Sequence, residues 1–325
     1  MRGVIYVVII ACALAVTSSC TKFDTAGIIK DRRIIAIVAE PPELTKATLP
    51  MSGNLGVTAI VVEPGSPGAT LSYEWGYCQV APTAGPNPAG GGGGGPGGGG
   101  AVTSARCDDT DYQLVSSGAS SSLPLTAVIA IPATLTAALN AGTALLVPEI
   151  RVQFNVDDNG TGLYATKRIA VSTTNLTPNH NPTLDAIEIE GVVAPTMPTT
   201  MNFTYSNCSE AKRVTLDDGS KKRVCAYDIA PTVSGMEDYT EYNRITGQMD
   251  ARREQYTFAW YADAGSFKSE TTTQPDPRLL RPINEGVATE WREPADKPTT
   301  PVNIWLVVRD GRGGVAWTQR QINLQ

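Results

Sequence analysis

Val302-Asn303-Ile304-Trp305-Leu306-Val307-Val308-Arg309-Asp310-Gly311-Arg312-Gly313-Gly314-Val315-Ala316-Trp317-Thr318-Gln319-Arg320-Gln321-Ile322-Asn323-Leu324 is the stretch that decides the fold. Val302, Ile304, Leu306 and Val308 recur at every second position. Successive strand side chains point to opposite faces, so this spacing predicts a strand with one apolar face turned inward. Asp310 to Gly314 then concentrates the residues that tight turns need. Val315 to Leu324 reads as the returning strand, so the stretch predicts a β-hairpin with a five-residue connection.

The same reading extends upstream. Tyr256, Phe258 and Trp260 alternate with Thr257, Ala259 and Tyr261, and Leu71, Tyr73, Trp75 and Tyr77 alternate with Ser72, Glu74 and Gly76. Trp75 and Trp260 are the expected core anchors. Ile34–Val38 predicts a first strand, stopped by Pro41-Pro42, and Val57, Ala59 and Val61 a second. Val152, Phe154 and Val156 precede a turn at Asp158-Asn159-Gly160, with Leu163–Val171 returning. Ile187 with Ile189, and Phe203 with Tyr205, suit two further strands. One short helix is expected over 132–141, with Pro132 leading and Leu135 and Leu139 on one face.

The two halves read as a divergent repeat. Tyr73-Glu74-Trp75 matches Phe258-Ala259-Trp260, and Val156, Asp158, Gly162, Thr166 and Arg168 match Val308, Asp310, Gly314, Thr318 and Arg320. Many short strands, Gly/Pro turns and few helices argue for an all-β protein of sandwich type.

The N-terminus carries an export signal: Arg2, then an almost wholly apolar run from Val4 to Val16 that is short for a membrane span. Thr17-Ser18-Ser19-Cys20 resembles a lipobox, with Thr17 where an aliphatic residue is usual. The resemblance implies cleavage before Cys20 and acylation of its thiol; ordinary secretory cleavage is the alternative. Thr21, in place of the Asp that tends to retain lipoproteins at the inner membrane, resembles outer-membrane sorting.

Four cysteines remain beyond the signal and Cys20: Cys78, Cys107, Cys208 and Cys225. They allow three pairings. Cys78–Cys107 and Cys208–Cys225 are expected, because each closes a loop within one half, and an oxidising compartment permits them. With no CxxC spacing, zinc is not expected.

The expected organisation is a signal peptide over 1–19, a lipidated tether over 20–31, a sandwich over 32–174, a linker over 175–183 and a second sandwich over 184–325. The Pro/Gly-dominated segment 82–101 reads as an insertion with too little apolar area to order itself. The net charge of −6 without basic runs argues against nucleic acid as a partner.

The second half resembles a PKD-like or bacterial immunoglobulin-like module. Phe258 to Trp260, Ala264-Gly265-Ser266-Phe267, Trp291 before Pro294, and Val307 to Gly314 carry that likeness. Ala39-Glu40-Pro41-Pro42-Glu43, the segment Tyr73 to Cys78 and the C-terminal hairpin further resemble a group of uncharacterised Gram-negative lipoproteins. The resemblance implies two tandem immunoglobulin-like β-sandwich domains held to a membrane, and no particular activity.

No catalytic set stands out. His180 is the single histidine and lies in the Asn-Pro linker, where a triad base is poorly oriented. Glu237-Asp238 and Glu241 are carboxylates of the kind that hydrolyse glycosides, and equally ordinary loop acids. Asp157, Asp158 and Asn159 are weak calcium candidates, lacking the distal Glu of an EF-hand loop; an Asp bonding its own turn backbone explains them equally. No cofactor is expected. The expectation is a non-catalytic envelope module that binds a protein or glycan, with a spacer or scaffold as the alternative and a carboxylate hydrolase behind both. The loop between Cys78 and Cys107, and Met236–Arg253 with Tyr239, Tyr242 and Arg244, are the expected contact surfaces.

Overall fold

Pro41 and Pro42 set the first architectural step. Strand β1 (Arg33–Glu40) pairs antiparallel with β3 (Asn54–Val62) as far as Glu40 opposite Gly56. Proline has no N–H to continue that ladder. The chain crosses to the opposite sheet, where β2 (Glu43–Thr45) pairs in parallel with β8 (Leu163–Ser172). The computed structural model describes residues 27–66, 68–80, 106–141, 149–157, 162–172, 178–216, 221–243 (without the side chains of 241–243), 248–275 and 286–325.

The first half is completed by β4 (Leu71–Val80), β5 (Gln113–Ser120), β6 (Leu125–Ala130), helix α1 (Ala133–Ala141) and β7 (Glu149–Val156). One sheet has the order β1-β3-β6 and the other β2-β8-β7-β4-β5. Trp75, fully buried, lies between them with its ring 4.5 Å from that of Phe154. Leu135 and Leu139 bring α1 onto the same core, and Pro132 immediately precedes the helix.

The second half contains β9 (Thr183–Ile189), β10 (Val192–Val193), β11 (Met201–Phe203), a 3-10 turn over Glu210–Lys212, β12 (Arg213–Thr215) and β13 (Arg223–Ser234). It continues with β14 (Asp238–Asn243), β15 (Gln248–Arg253), β16 (Thr257–Ala262), β17 (Ser266–Phe267), β18 (Thr271–Thr273), β19 (Thr289–Arg292), β20 (Val302–Arg309) and β21 (Val315–Leu324). The chain is all-β apart from α1 and that turn among the described residues. The orders here are β10-β9-β13-β19-β17 and β11-β21-β20-β16-β18. Without the flanking β10, β12 and β17, strands of the second half occupy the same places in the same order as those of the first. Trp260, also fully buried, anchors this core.

Register supports part of the repeat. Tyr73 faces Val156, and Phe258 faces Val308. The returning strands are one residue out of step: Thr166 faces Gln153, whereas Thr318 faces Leu306. The expected match of Gly162, Thr166 and Arg168 with Gly314, Thr318 and Arg320 therefore fails, because the C-terminal turn holds one residue more. Tyr205 also falls outside its expected strand. Strand β11 ends at Phe203; beyond it the Tyr205 N–H still donates to the Gln325 carbonyl, and its hydroxyl donates to the carbonyls of Pro294 and Ala295.

Gly265 is required where it stands. Its φ is +84°, and a Cβ there would lie 2.4 Å from the Arg292 carbonyl oxygen. That close approach lets β17 pair along the outer side of β19.

Strand β3 is apolar on both faces, which explains how the halves meet. Leu55, Val57, Ala59 and Val61 enter the first core, while Ile60 and Val62 join Ile29, Ile35 and Ala36 against Ala259, Trp305, Val307 and Val315 of the second half. The end of the expected polar tether is part of this contact. Ile29 is fully buried, its N–H donates to the Ala262 carbonyl, and the Ala262 N–H donates to that of Gly27.

Candidate functional site

Among the described residues, the C-terminal turn gathers charges from four distant segments. Asp310 is buried, and one of its oxygens, Oδ1, accepts from the backbone N–H groups of Arg312, Gly313 and Gly314 at 2.7, 2.9 and 2.9 Å. Burial pushes its carboxyl up, and these amides and Lys167 oppose that shift. The turn-forming role expected for Asp310 is what this geometry displays.

So held, Arg312 reaches three carboxylates from separate segments. Its Nη1 lies 3.2 Å from Glu237 and 3.2 Å from Glu254, and its Nη2 lies 3.3 Å from Glu43 of β2. The Tyr239 ring lies under the guanidinium at 4.4 Å. The planar fork of arginine suits this task, since a lysine is a single point charge. Burial raises Glu254 to about 7, helped by the charges of Asp310 and Glu237; the Glu237 N–H and Arg312 act the other way. Lys167 donates to the Gly313 carbonyl, and burial lowers it to about 8, with Arg309 adding to the shift and Asp310 opposing it.

Residues 178–182, expected within a linker, are packed into this junction. The N–H of fully buried Asn179 donates to Glu43, and Asn181 donates to the Ala39 carbonyl and Glu40 while accepting from the Val315 N–H. His180 is mostly exposed and meets Glu237 through Nδ1 at 2.5 Å. No hydroxyl or thiol among the described residues hydrogen-bonds to it.

Above the cluster stands a hairpin. Strands β14 and β15 pair from Asp238 opposite Arg253 to Asn243 opposite Gln248 and form a sheet of their own. Most of β15 is exposed, including Met249. Of the residues expected to meet a partner, Tyr239 is turned back under Arg312, while Arg244 and the Tyr242 side chain lie outside the described residues. Among the singled-out carboxylates, Glu237 roots the hairpin, Asp238 faces Arg253 at 3.7 Å, and the Glu241 backbone pairs with Asp250. Glu237 and Glu254 share one arginine nitrogen, an arrangement that holds a hairpin base together.

In the first half, Cys78 is bonded to Cys107, and in the second, Cys208 to Cys225, the pairing expected. The first bond fastens 106–112 across the outer face of β4 and β7. The Arg106 guanidinium lies 4.0 Å over the Tyr164 ring, the Cys107 N–H donates to Gln153, and the Tyr112 hydroxyl donates to Glu74. Tyr112 lies so close to Gly76 that a Cβ there would come within 2.1 Å of its ring.

Asp157 uses its backbone, donating to the Ser72 carbonyl and accepting from Arg32. Asp158, Asn159, Cys20 and the segment 82–101 lie outside the described residues. Among those described, no three His, Cys, Asp or Glu side chains gather to hold a metal ion. Sequence reasoning missed Arg312, Glu43, Glu254 and Lys167 as a group, because four distant segments supply them.

No family profile matches the chain, and no curated protein matches it by sequence. Among solved structures it is similar to a chimeric titin Z1Z2 carrying a KLER peptide from decorin, at 7% identity, over 93% of this chain and 99% of that one, with a TM-score of 0.20. It is also similar to the BSP domain of a biofilm-associated protein, at 8% identity, over 94% of this chain and 61% of that one, with a TM-score of 0.23. Superpositions this loose leave the architecture to be read from strand order and register.

Proposed function

We propose that this protein is an envelope lipoprotein, cleaved before Cys20, acylated there and held at the outer membrane. It carries two tandem immunoglobulin-like (PKD-like) domains, 32–174 and 184–325, and binds an envelope protein or glycan without catalysis. The domain reading is supported by the shared strand order of the halves. The binding reading rests on the β14–β15 hairpin, which among the described residues joins no other sheet and is fixed at its base by Arg312. A rigidly rooted exposed ribbon offers contact area at low ordering cost. Intact-mass measurement tests the anchor: the mature chain must begin at Cys20 with a lipid mass added. Crosslinking pull-down from envelopes tests the binding role. Replacing 241–250 with a short Gly-Ser turn, which leaves Glu237, Tyr239 and Glu254 in place, should abolish capture of the partner; undiminished capture would refute the hairpin's role.

A spacer is the second reading, favoured by the apolar contact that fixes the halves against each other. It gains if intact envelopes yield no stoichiometric partner.

A further inference from the structure

Charge is missing from one long run of the chain. No Asp, Glu, Lys, Arg or His occurs from Tyr112 to Pro148, in a protein whose residues are 18% charged. The described part of the run, 112–141, comprises β5, β6 and α1. It is not a core run. Only Leu125, Ile129, Ile131, Leu135 and Leu139 are buried, and Leu114, Leu123 and Val128 are exposed by 59%, 41% and 61%.

Among the described residues, both strands are sheet edges. Strand β5 ends the five-stranded sheet of the first half and β6 ends the three-stranded one. Residues 121–124 join them directly, so the two edges flank one side of the sandwich. An edge strand presents unpaired N–H and C=O groups, and proteins guard such edges with charge, proline, shortness or a covering strand. The second half has guards at the corresponding places: β18 is three residues long, and β17 lies outside β19. Strand β5 has eight residues with neither charge nor proline. The pairing irregularity between Ser116 and Leu114 leaves Ser116–Ser120 as its regular end.

We propose that this edge is a self-association surface, on which β5 pairs antiparallel with β5 of a second copy of this chain about a two-fold axis. Neutrality selects that occupant. Like charges opposed across strands are destabilising, and a strand without charge can face itself freely. A strongly charged partner would find no opposite charge here to steer it. The chain's net charge of −6 sets copies against each other elsewhere.

Sedimentation of the purified protein tests this, with Ser117→Lys and Ala119→Lys, both on exposed positions of β5. The expected result is a dimer at micromolar concentration, with a dissociation constant raised by about tenfold or more in each variant while the thermal midpoint is kept. A Ser117→Cys variant should cross-link to itself under mild oxidation, which also reads the pairing if the lysine variants fold poorly. A monomer that does not cross-link overturns the proposal, and so does one that instead captures a neutral extended peptide. A dimer unchanged by both lysines and without the cross-link also overturns it.

Discussion

Arg312, on the turn after β20, lies 3.3 Å from Glu43 of β2, so a charge pair with little exposure on either side ties the second half of the protein to the first. Its other terminal nitrogen holds Glu237 and Glu254.

Removing that guanidinium should be costly. Arg312→Ala leaves three carboxylates facing one another with little access to water, and breaking such a buried pair costs about 3–5 kcal/mol. Arg312→Lys should recover only part, because one ammonium cannot fork between Glu43 and the other two. Urea denaturation at neutral pH measures both; an Arg312→Ala loss within error of zero would show that the cluster does not hold the halves.

The pH dependence from Glu254 should run opposite to that of an ordinary carboxylate. Its folded value is raised from 4.5 to about 7. Between those values the folded protein holds a proton that the unfolded chain does not, so stability rises as pH falls through 7 and the gain is complete below 4.5. Above 7 both states are charged and the full cost of burial is felt. The span corresponds to about 3 kcal/mol. Subtracting the pH profile of Glu254→Gln from that of the wild type should leave this slope. A flat difference between pH 4.5 and 7 would refute the assignment.

The two tryptophans should answer differently to the same substitution. The Trp260 Nε1–H donates to the Thr272 hydroxyl, whereas that of Trp75 is buried with no partner among the described residues. Replacement by phenylalanine removes similar volume at each place. Trp260→Phe also loses a hydrogen bond, while Trp75→Phe removes an unsatisfied donor. Trp260→Phe should therefore be worse by about 1–2 kcal/mol. Thermal denaturation of the pair decides it, and equal losses would sink the comparison.

Removing the disulfides should cost about 3–4 kcal/mol each in the chain-entropy account, slightly more for Cys78–Cys107, whose loop is longer. The Cys78→Ala/Cys107→Ala protein should also expose backbone amides of 106–112 to hydrogen exchange, since the bond fastens that segment to the sheet. Unchanged protection there would show that Tyr112 and Arg106 hold it alone.

Much of the fold was legible in sequence because strand periodicity is local. Phe258, Trp260, Leu306 and Val308 each declare their inward face by the identity of neighbours two positions away. The disulfides were legible for a similar reason, since each closes a short loop. The junction was not. Arg312 looked like one charge in a turn, and its partners come from β2, from the segment after β13 and from the residue that follows β15. Those distances in sequence become contacts only once Pro41 and Pro42 have sent the chain to the other sheet. The second apolar face of β3, carrying Ile60 and Val62, is equally silent about what it covers. Asn179 and Asn181 read as linker residues because polar side chains beside proline usually meet water; here they are enclosed by both halves.

The pairing of Gly27 and Ile29 with Ala262 has a mechanical consequence. The chain crosses the second half before it builds the first. A pull arriving from upstream of Gly27 is therefore transmitted to the end of β16 in the second half before it reaches β1. The first half hangs between that clasp and the junction at Arg312. Load from that direction meets this clasp first: the two hydrogen bonds at Ala262 and the buried Ile29 side chain.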